Sequence, residues 1–332
     1  MTLPSERIAD HLAGRPVLVV GRAGMDIYPM PDGTRIEDAC ELVNDVGGSS
    51  GNIAVSLAKQ GHEVMLMSAV SDDGVGRFVT RSLAEYGVDT RHCLVTTGLE
   101  RTSLAMAETT TDSPDVTIYR NDAADLAITP ANADAVDVAA LGAIVITGTA
   151  LSREPSRSAC ERLVELAGDA GCPVVLDLDY RAQAWASPDE AREILAGMAR
   201  RVRMPVGNDE EFDLIAAGGG REFAAGLAEA GALVLYKMGE GGCDIMEGGG
   251  ETHVGIFRVE ALKPFGSGDA FLGTTMATLA AGPGIVAAVT RGAAAAAIAV
   301  SRRGCARAMP TAGEIDSFME SHAMNSTDAA TD

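Results

Sequence analysis

The stretch Lys263-Pro-Phe-Gly-Ser-Gly-Asp-Ala-Phe271 places two glycines and a serine directly before a helical pattern that runs from Asp269 to Ala280. Backbone N–H groups at such a turn point towards whatever lies at the helix N-terminus, where the helix dipole favours an anion. Phosphoryl transfer needs such a cradle, and it also needs a carboxylate that orients the acceptor hydroxyl and takes its proton. Asp269 has that position. By itself, however, the segment fits equally well an Asp that only caps a helix after a glycine turn.

The rest of the chain alternates short apolar runs with longer helical patterns. Pro16 to Gly21 is typical of a buried strand that ends on glycine. Helical patterns such as Asn52–Gln60 and Arg77–Tyr86 are each closed by a glycine. The alternation predicts an α/β fold with a doubly wound, mostly parallel sheet flanked by helices. The further apolar runs are Val64–Val70, Ala143–Thr147, Val174–Asp177 and Leu233–Tyr236.

Two segments, at about 28–45 and 102–120, interrupt this alternation. The first has no helical pattern, and the second alternates apolar with polar residues. We interpret both as extended parts of a small β-lid, which would exclude water from a site. An irregular surface hairpin is the alternative, and it is weaker for the second segment. We expect one domain over residues 15–320 and a disordered tail over residues 323–332, which are small and polar.

Composition narrows the class of protein and of partner. The chain has 332 residues and a formal net charge of −21, which argues against a nucleic-acid partner. An anionic substrate must therefore be held by local Arg, Lys or helix N-termini. The six cysteines form no C-x-x-C pair, and the N-terminus is polar and of mixed charge. The scattered cysteines are typical of reduced thiols, and the polar N-terminus is unlike a signal peptide, so we expect a cytoplasmic protein. The apolar run Gly292–Val300 is too short to span a membrane, so we expect no membrane partner.

Three motifs in the right order resemble those of the ribokinase-like (PfkB) family of carbohydrate kinases. Gly266-Ser-Gly-Asp269 followed by Ala-Phe is similar to G-A-G-D-x-F, and Gly47-Gly-Ser-Ser-Gly-Asn52 followed by Ile-Ala is similar to G-G-x-x-x-N-x-A. Ser71-Asp-Asp-Gly-Val-Gly76 resembles V-G-x-D-x-x-G. The resemblance extends from Val17 to about Phe318. It implies a ribokinase-like fold, ATP and Mg²⁺ as cofactors, phosphorylation of a sugar-type hydroxyl and a homodimer formed through the lid.

The same resemblance implies roles at the turn and for the nucleotide. Asp269 is the implied catalytic base, and the N–H groups of Gly266, Ser267 and Gly268 are the implied anion hole. Asn208-Asp-Glu-Glu211 resembles the N-x-x-E motif tied to Mg²⁺ and phosphate, which Glu211 would serve through water; a solvated helical acid is the alternative. Lys237-Met-Gly-Glu-Gly-Gly242 resembles the nucleotide loop. The implied nucleotide-binding residues are Lys237, Gly239, Gly242 and Asn208, with Lys237 either at an ATP phosphate or only at a strand end.

Substrate hydroxyls have a candidate partner in Asp26, which lies where family members keep an Asp for this purpose. Gly48 and Asn52 are expected on the same side, where the Asn52 amide adds a donor and an acceptor. A carboxylate accepts two hydroxyl protons at once, which suits a polyol. The alternative for Asp26 is a turn residue before Pro29.

Arginines predict that the substrate is itself an acid. Ile118-Tyr-Arg120 and Asp177-Leu-Asp-Tyr-Arg181, with Trp185, resemble segments of the family's 2-keto-3-deoxygluconate kinases. A guanidinium clamps a planar carboxylate with two parallel donors. With Arg22 as a further candidate, we expect a kinase for a keto-deoxy sugar acid. The alternatives are a 2-keto-3-deoxygluconate kinase or another sugar kinase, and, in another class, a sugar-acid-binding protein without catalysis. For Arg120 and Arg181 the other interpretation is an arginine at a strand end that is paired with a surface acid, and this alternative is stronger for Arg120 than for Arg181.

One segment departs from the family pattern. Many members carry Asp-Thr-Thr before the G-x-G-D turn, and that Asp helps to hold a monovalent cation. This chain has Lys263-Pro-Phe265 there. Because a lysine cannot ligate K⁺ but brings the same charge, we predict weak or no activation by K⁺.

Overall fold

The computed structural model describes residues 2–110, 113–263 and 265–324, and strands alternate with helices in this part of the chain. The strands are β1 Val17–Val20, β2 Gly24–Met30, β3 Glu41–Gly47, β4 Val64–Ser71, β5 Asp89–Thr96, β6 Leu104–Ala107, β7 Val116–Tyr119, β8 Ala143–Thr147, β9 Val174–Asp177, β10 Met204–Asn208, β11 Val234–Lys237, β12 Cys243–Glu247 and β13 Gly250–Val254. The helices are α1 Pro4–Leu12, α2 Ser49–Lys59, α3 Gly74–Glu85, α4 Pro130–Asp134, α5 Ser156–Ala170, α6 Pro188–Ala199, α7 Asp209–Ala216, α8 Gly220–Glu229, α9 Ser267–Ala280, α10 Ile285–Val300 and α11 Ala312–Ser321.

The main sheet has nine strands in the order β13-β12-β11-β10-β9-β8-β1-β4-β5. From β11 to β5 all neighbours are parallel, whereas β12 and β13 pair antiparallel at one edge. Successive residues of the central strand β1 point to opposite faces. Val17 and Val19 enter one apolar core, with α1, α2, α3, α9, α10 and α11, and Leu18 and Val20 enter the other, with α4 to α8. The predicted doubly wound α/β fold is therefore confirmed.

A second, four-stranded sheet in the order β3-β2-β6-β7 forms the lid. The first pair of strands extends beyond the predicted segment 28–45, since β2 starts at Gly24 and β3 ends at Gly47, whereas β6 and β7 lie within the predicted segment 102–120. In this pairing Asp26 lies opposite Asp45. A lid strand thus carries Asp26, one of the predicted site residues. Most of the tail that we expected to be disordered, residues 325–332, lies outside the described residues.

The parallel strands bring polar residues to one edge of the main sheet, because the carboxyl ends of parallel strands meet there. Arg22, Thr149, Asp179 and Lys237 lie at or just after the ends of β1, β8, β9 and β11. Helices α2 and α9 pack side by side, so closely that a Cβ added to Gly273 would lie 2.5 Å from the Cβ of Ser56. Their N-termini therefore open at the same edge. Within the described residues, no helix is both long enough and apolar enough to cross a membrane.

Candidate active site

The glycine turn forms the N-terminus of α9, as the sequence predicts. Gly266 has φ of +86°, a left-handed conformation that glycine adopts without steric cost. Asp269 follows in the first helical turn, where its Oδ2 accepts a hydrogen bond of 2.8 Å from Nδ2 of Asn52. Ser56 of α2 also donates to the carbonyl of Ala270 at 3.2 Å. These contacts fix the carboxylate of Asp269 between two helix N-termini, which both favour an anion.

The environment of Asp269 makes it a base at neutral pH. Burial raises the pKa of this carboxyl to about 7, and the carboxylate of Asp179 adds to the rise. The hydrogen bond from Asn52 and the charge of Arg181 oppose it. A general base is most effective when its pKa lies near the working pH. Asp269 therefore has the position and the proton affinity to take a proton from a hydroxyl.

Asp26 and Asn52 present unused acceptors beside that base. Asp26 is only 6% exposed, and its Oδ2 accepts a hydrogen bond of 3.1 Å from the Tyr28 hydroxyl. A Cβ on Gly47 would lie 1.9 Å from the Asp26 carboxyl group, so only glycine leaves room for it. The atoms Asp26 Oδ1 and Asn52 Oδ1 are buried, and neither has a hydrogen-bond partner among the described residues. Buried acceptors of this kind call for a donor from a ligand, and sugar hydroxyls are suitable donors.

These groups open into a cavity of about 660 Å³ between the sheet edge and the lid. The lid contributes apolar and small side chains, among them Ala105, Ala107 and Ile118. The cavity is large enough for a small polar ligand. It brings together predicted residues that are far apart in the sequence: Arg22, Asp26, Gly48, Asn52, Arg120, Arg181, Gly266 and Asp269.

The three predicted arginines differ in how strongly they are paired with other residues of the protein. Arg120 forms an ion pair with the buried carboxylate of Asp125 and donates to the carbonyl of Thr149 at 3.1 Å. Its side chain is only 11% exposed. Arg181 lies 3.0 Å from an oxygen of Asp179, but 57% of its side chain is exposed. Arg22 has a neutral partner, the Ser103 hydroxyl at 3.2 Å.

The predicted nucleotide residues are not among those that line this cavity. Lys237 lies close to the glycine turn, because a Cβ on Gly268 would lie 3.6 Å from its Nζ. That ammonium is 3.7 Å from Oδ1 of Asp177. Burial alone would lower the pKa of Lys237, but the carboxylates of Asp177 and Glu211 outweigh it and raise the pKa, which keeps the charge. Gly239 and Gly242 have φ of +55° and +88° in the loop after β11.

Asn208 and Glu211 cap α7 reciprocally. The Glu211 N–H donates to Asn208 Oδ1 at 2.8 Å, and the Asn208 N–H donates to Glu211 Oε2 at 2.8 Å. The second Glu211 oxygen accepts from the N–H of Tyr180 at 3.0 Å. Direct ligation of a metal would compete with these bonds, whereas a contact through water would not. The described residues contain no group of three or more acidic, His or Cys side chains that could hold a metal. Asn208 and Glu211 fit Mg²⁺ as donors through water, because Mg²⁺ keeps several water and phosphate ligands.

Asp179 and Thr149 are among the site residues that the sequence analysis did not single out. Asp179, with φ of +32°, is buried in the cavity wall, and its Oδ2 accepts a hydrogen bond of 3.1 Å from the Thr149 hydroxyl. Both residues follow predicted strands, Val174–Asp177 and Ala143–Thr147, almost directly. A polar residue just after a parallel strand was the signal available in the sequence.

Lys263 lies behind the glycine turn with no exposed surface. Its Nζ donates to the carbonyl oxygen of Phe265 at 2.6 Å. Burial lowers the pKa of this ammonium group, while Cys305, Asp269, Asp26 and Asp45 act in the opposite direction. The side chain therefore places a basic nitrogen against the backbone that leads into Gly266.

Comparisons with known proteins agree with this geometry. The chain matches the pfkB family of carbohydrate kinases over residues 15–312. The 5-dehydro-2-deoxygluconokinase of Photobacterium profundum is 38% identical over 314 residues, or 91% of this chain and 94% of that protein. The protein of the same name from Bacillus subtilis is 31% identical over 310 residues, or 92% and 95%. A crystal structure of fructokinase with bound ATP from Xylella fastidiosa shares the fold, with a TM-score of 0.82 and 24% identity over 92% of this chain and 98% of that one.

Proposed function

Because the chain belongs to the pfkB family of carbohydrate kinases, we propose that it transfers the γ-phosphoryl group of ATP to 5-dehydro-2-deoxy-D-gluconate, giving the 6-phosphate. The relatives that carry this activity in their names are similar over almost the whole chain. The observation that carries the proposal is the position of Asp269 beside the unused acceptors of Asp26 and Asn52 in one cavity. We assign this reaction to bacterial myo-inositol catabolism.

The residues divide the chemistry between them. Asp26 and Asn52 accept hydrogen bonds from sugar hydroxyls and hold the acceptor hydroxyl against Asp269. The carboxylate of Asp269 takes the hydroxyl proton as the oxygen attacks the γ-phosphorus, and the bond to the β-phosphate oxygen breaks to release ADP. The N–H groups of Gly266, Ser267 and Gly268 stabilise the charge that develops on the transferred group.

The nucleotide is held beyond the glycine turn. Lys237 contacts its phosphates, and the loop containing Gly239 and Gly242 lets its backbone approach them. When bound, Mg²⁺ neutralises phosphate charge, and Asn208 and Glu211 would hold it through water. The fructokinase of Xylella fastidiosa has ATP bound, which agrees with ATP as the donor. Dimerisation through the lid and a cytoplasmic location stay predictions; sedimentation equilibrium tests the first.

The test is ADP release from Mg-ATP with 5-dehydro-2-deoxygluconate, run beside 2-keto-3-deoxygluconate, ribose and fructose. We expect turnover of the first compound alone, and a loss of about 10²- to 10⁴-fold in Asp269→Asn. Asp169→Asn makes the same chemical change on an exposed part of α5 and should leave the rate unchanged. Strong turnover of another sugar would replace the substrate but keep the kinase. No turnover by a folded protein would favour a sugar-acid-binding protein.

A further inference from the structure

Four arginines line the cavity, and they differ in whether a protein carboxylate already balances their charge. They are Arg22, Arg120, Arg153 and Arg181. The guanidinium of Arg120 is paired with Asp125 and that of Arg181 with Asp179. A substrate carboxylate gains less from a guanidinium whose charge is already balanced by a protein carboxylate, because it must compete with that partner. Recognition of an acid therefore depends on the other two arginines.

Arg153 is an exposed residue whose side chain has no hydrogen bond or ion pair with any part of the chain that the structure describes. Its neighbour Arg157 is different, since it pairs with Glu190 at 2.8 Å. The chain has 47 acidic and 26 basic residues, so an unpaired guanidinium group does not result from a shortage of carboxylates. Arg22 donates to the neutral Ser103 hydroxyl and forms no ion pair within the described residues, although its charge also acts on the nearby Asp26 carboxyl and opposes the rise in its pKa.

The backbone around Arg153 is firmly anchored. On one side, the Ser152 hydroxyl donates to the carbonyl of Thr149 at 2.9 Å. On the other, the Ser156 hydroxyl donates to the carbonyl of Ala150 at 2.7 Å. The segment follows β8, and Arg22 follows β1, the adjacent strand. The two guanidinium groups thus reach the cavity from neighbouring strands. The backbone at Arg153 is held in place, whereas its side chain has no partner in the described part of the chain.

We propose that Arg153, together with Arg22, binds the carboxylate of the sugar acid, and that Arg120 and Arg181 act mainly by positioning Asp125 and Asp179. This proposal rests on the proposed function. It assigns the preference for an acid over a neutral sugar to Arg153 and Arg22. The hydroxyl at one end of the substrate lies at Asp269, and the carboxylate at the other end lies between Arg22 and Arg153. Nothing in this contact changes during phosphoryl transfer.

Arg153→Gln should therefore raise KM for the acid by about 10- to 100-fold, the usual effect of losing a charged hydrogen-bonding partner, with kcat nearly unchanged. The primary amide of the same acid has no charge to lose, so its KM should change less than about threefold in the variant. Arg153→Lys should recover part of the affinity, since it restores the charge but not the two parallel donors. Arg162→Gln removes a guanidinium that lies outside the cavity and serves as the matched control.

Calorimetric titration of the acid into wild type and variants gives the affinity without turnover. An unchanged dissociation constant in Arg153→Gln, with a native melting curve, would overturn the assignment. So would an equal loss of affinity for the acid and its amide, which indicates a structural role. If wild type prefers another sugar acid, the proposed substrate fails, and the same comparison is made with that acid. If wild type accepts only neutral sugars, both proposals fail.

Discussion

The acid side of the pH profile should report the ionisation of Asp269. Burial and the Asp179 carboxylate raise its pKa to about 7, and the group must be ionised to accept a proton. The value of kcat/KM should therefore reach a plateau above about pH 8. It should fall about tenfold between the plateau and pH 6, and about a hundredfold by pH 5, because each further pH unit below the pKa lowers the ionised fraction of the base about tenfold.

Two substitutions should move this profile in opposite directions. Asp179→Asn removes a negative charge that raises the Asp269 pKa, so the midpoint should shift to lower pH. Asn52→Ala removes the 2.8 Å hydrogen bond that favours the ionised form, so the midpoint should shift to higher pH. Both variants should also lose activity at every pH, since both side chains line the cavity. The position of the midpoint, and not the height of the plateau, is the quantity to compare.

The assay is the initial rate of ADP formation from pH 5 to 9, at saturating Mg-ATP and constant ionic strength, with Asp169→Asn as the control. The carboxyl of Asp177 also has a pKa raised by burial, although Lys237 acts against the rise. Asn52 donates its hydrogen bond to Asp269, so a shift in Asn52→Ala identifies Asp269 as the titrating group. Midpoints that stay fixed in both variants, or that move in the same direction, would refute the reasoning.

Two further predictions concern the same turn. Because the Lys263 ammonium lies against the Phe265 carbonyl, activity should be equal in K⁺ and in tetramethylammonium salts; a stimulation of several-fold by K⁺ would contradict this. The folded-state pKa of Asp269 lies above its unfolded value, so its contribution to stability is present at pH 3 and is lost as the pH rises to about 7. Asp269→Asn should therefore raise the free energy of unfolding in urea at pH 8, by at most about 4 kcal/mol, and a less stable variant would refute it.

Local sequence was sufficient for the architecture and for the reactive turn. Ala143–Thr147 and Val174–Asp177 are strands with the predicted bounds, since short apolar runs between glycines and helical patterns leave few other structures. The turn at Gly266 and the helix from Ser267 to Ala280 were also predictable within two residues. In each case the physical cause lies in neighbouring residues: a left-handed glycine, an apolar run or a helix start.

Tertiary structure decided which side chains are free to act. Arg120 and Arg181 were both predicted to bind an acid, yet the fold pairs Arg120 with the buried Asp125 and Arg181 with the buried Asp179, and it leaves only Arg181 largely exposed. Arg153, which carries no motif, has no hydrogen-bond or ion-pair partner for its side chain among the described residues that line or surround the cavity. The pKa of Asp269 likewise depends on Asn52 and Asp179, which are distant in sequence. Pairing, burial and proton affinity are properties of long-range contacts, and these exist only once the strands and helices have assembled.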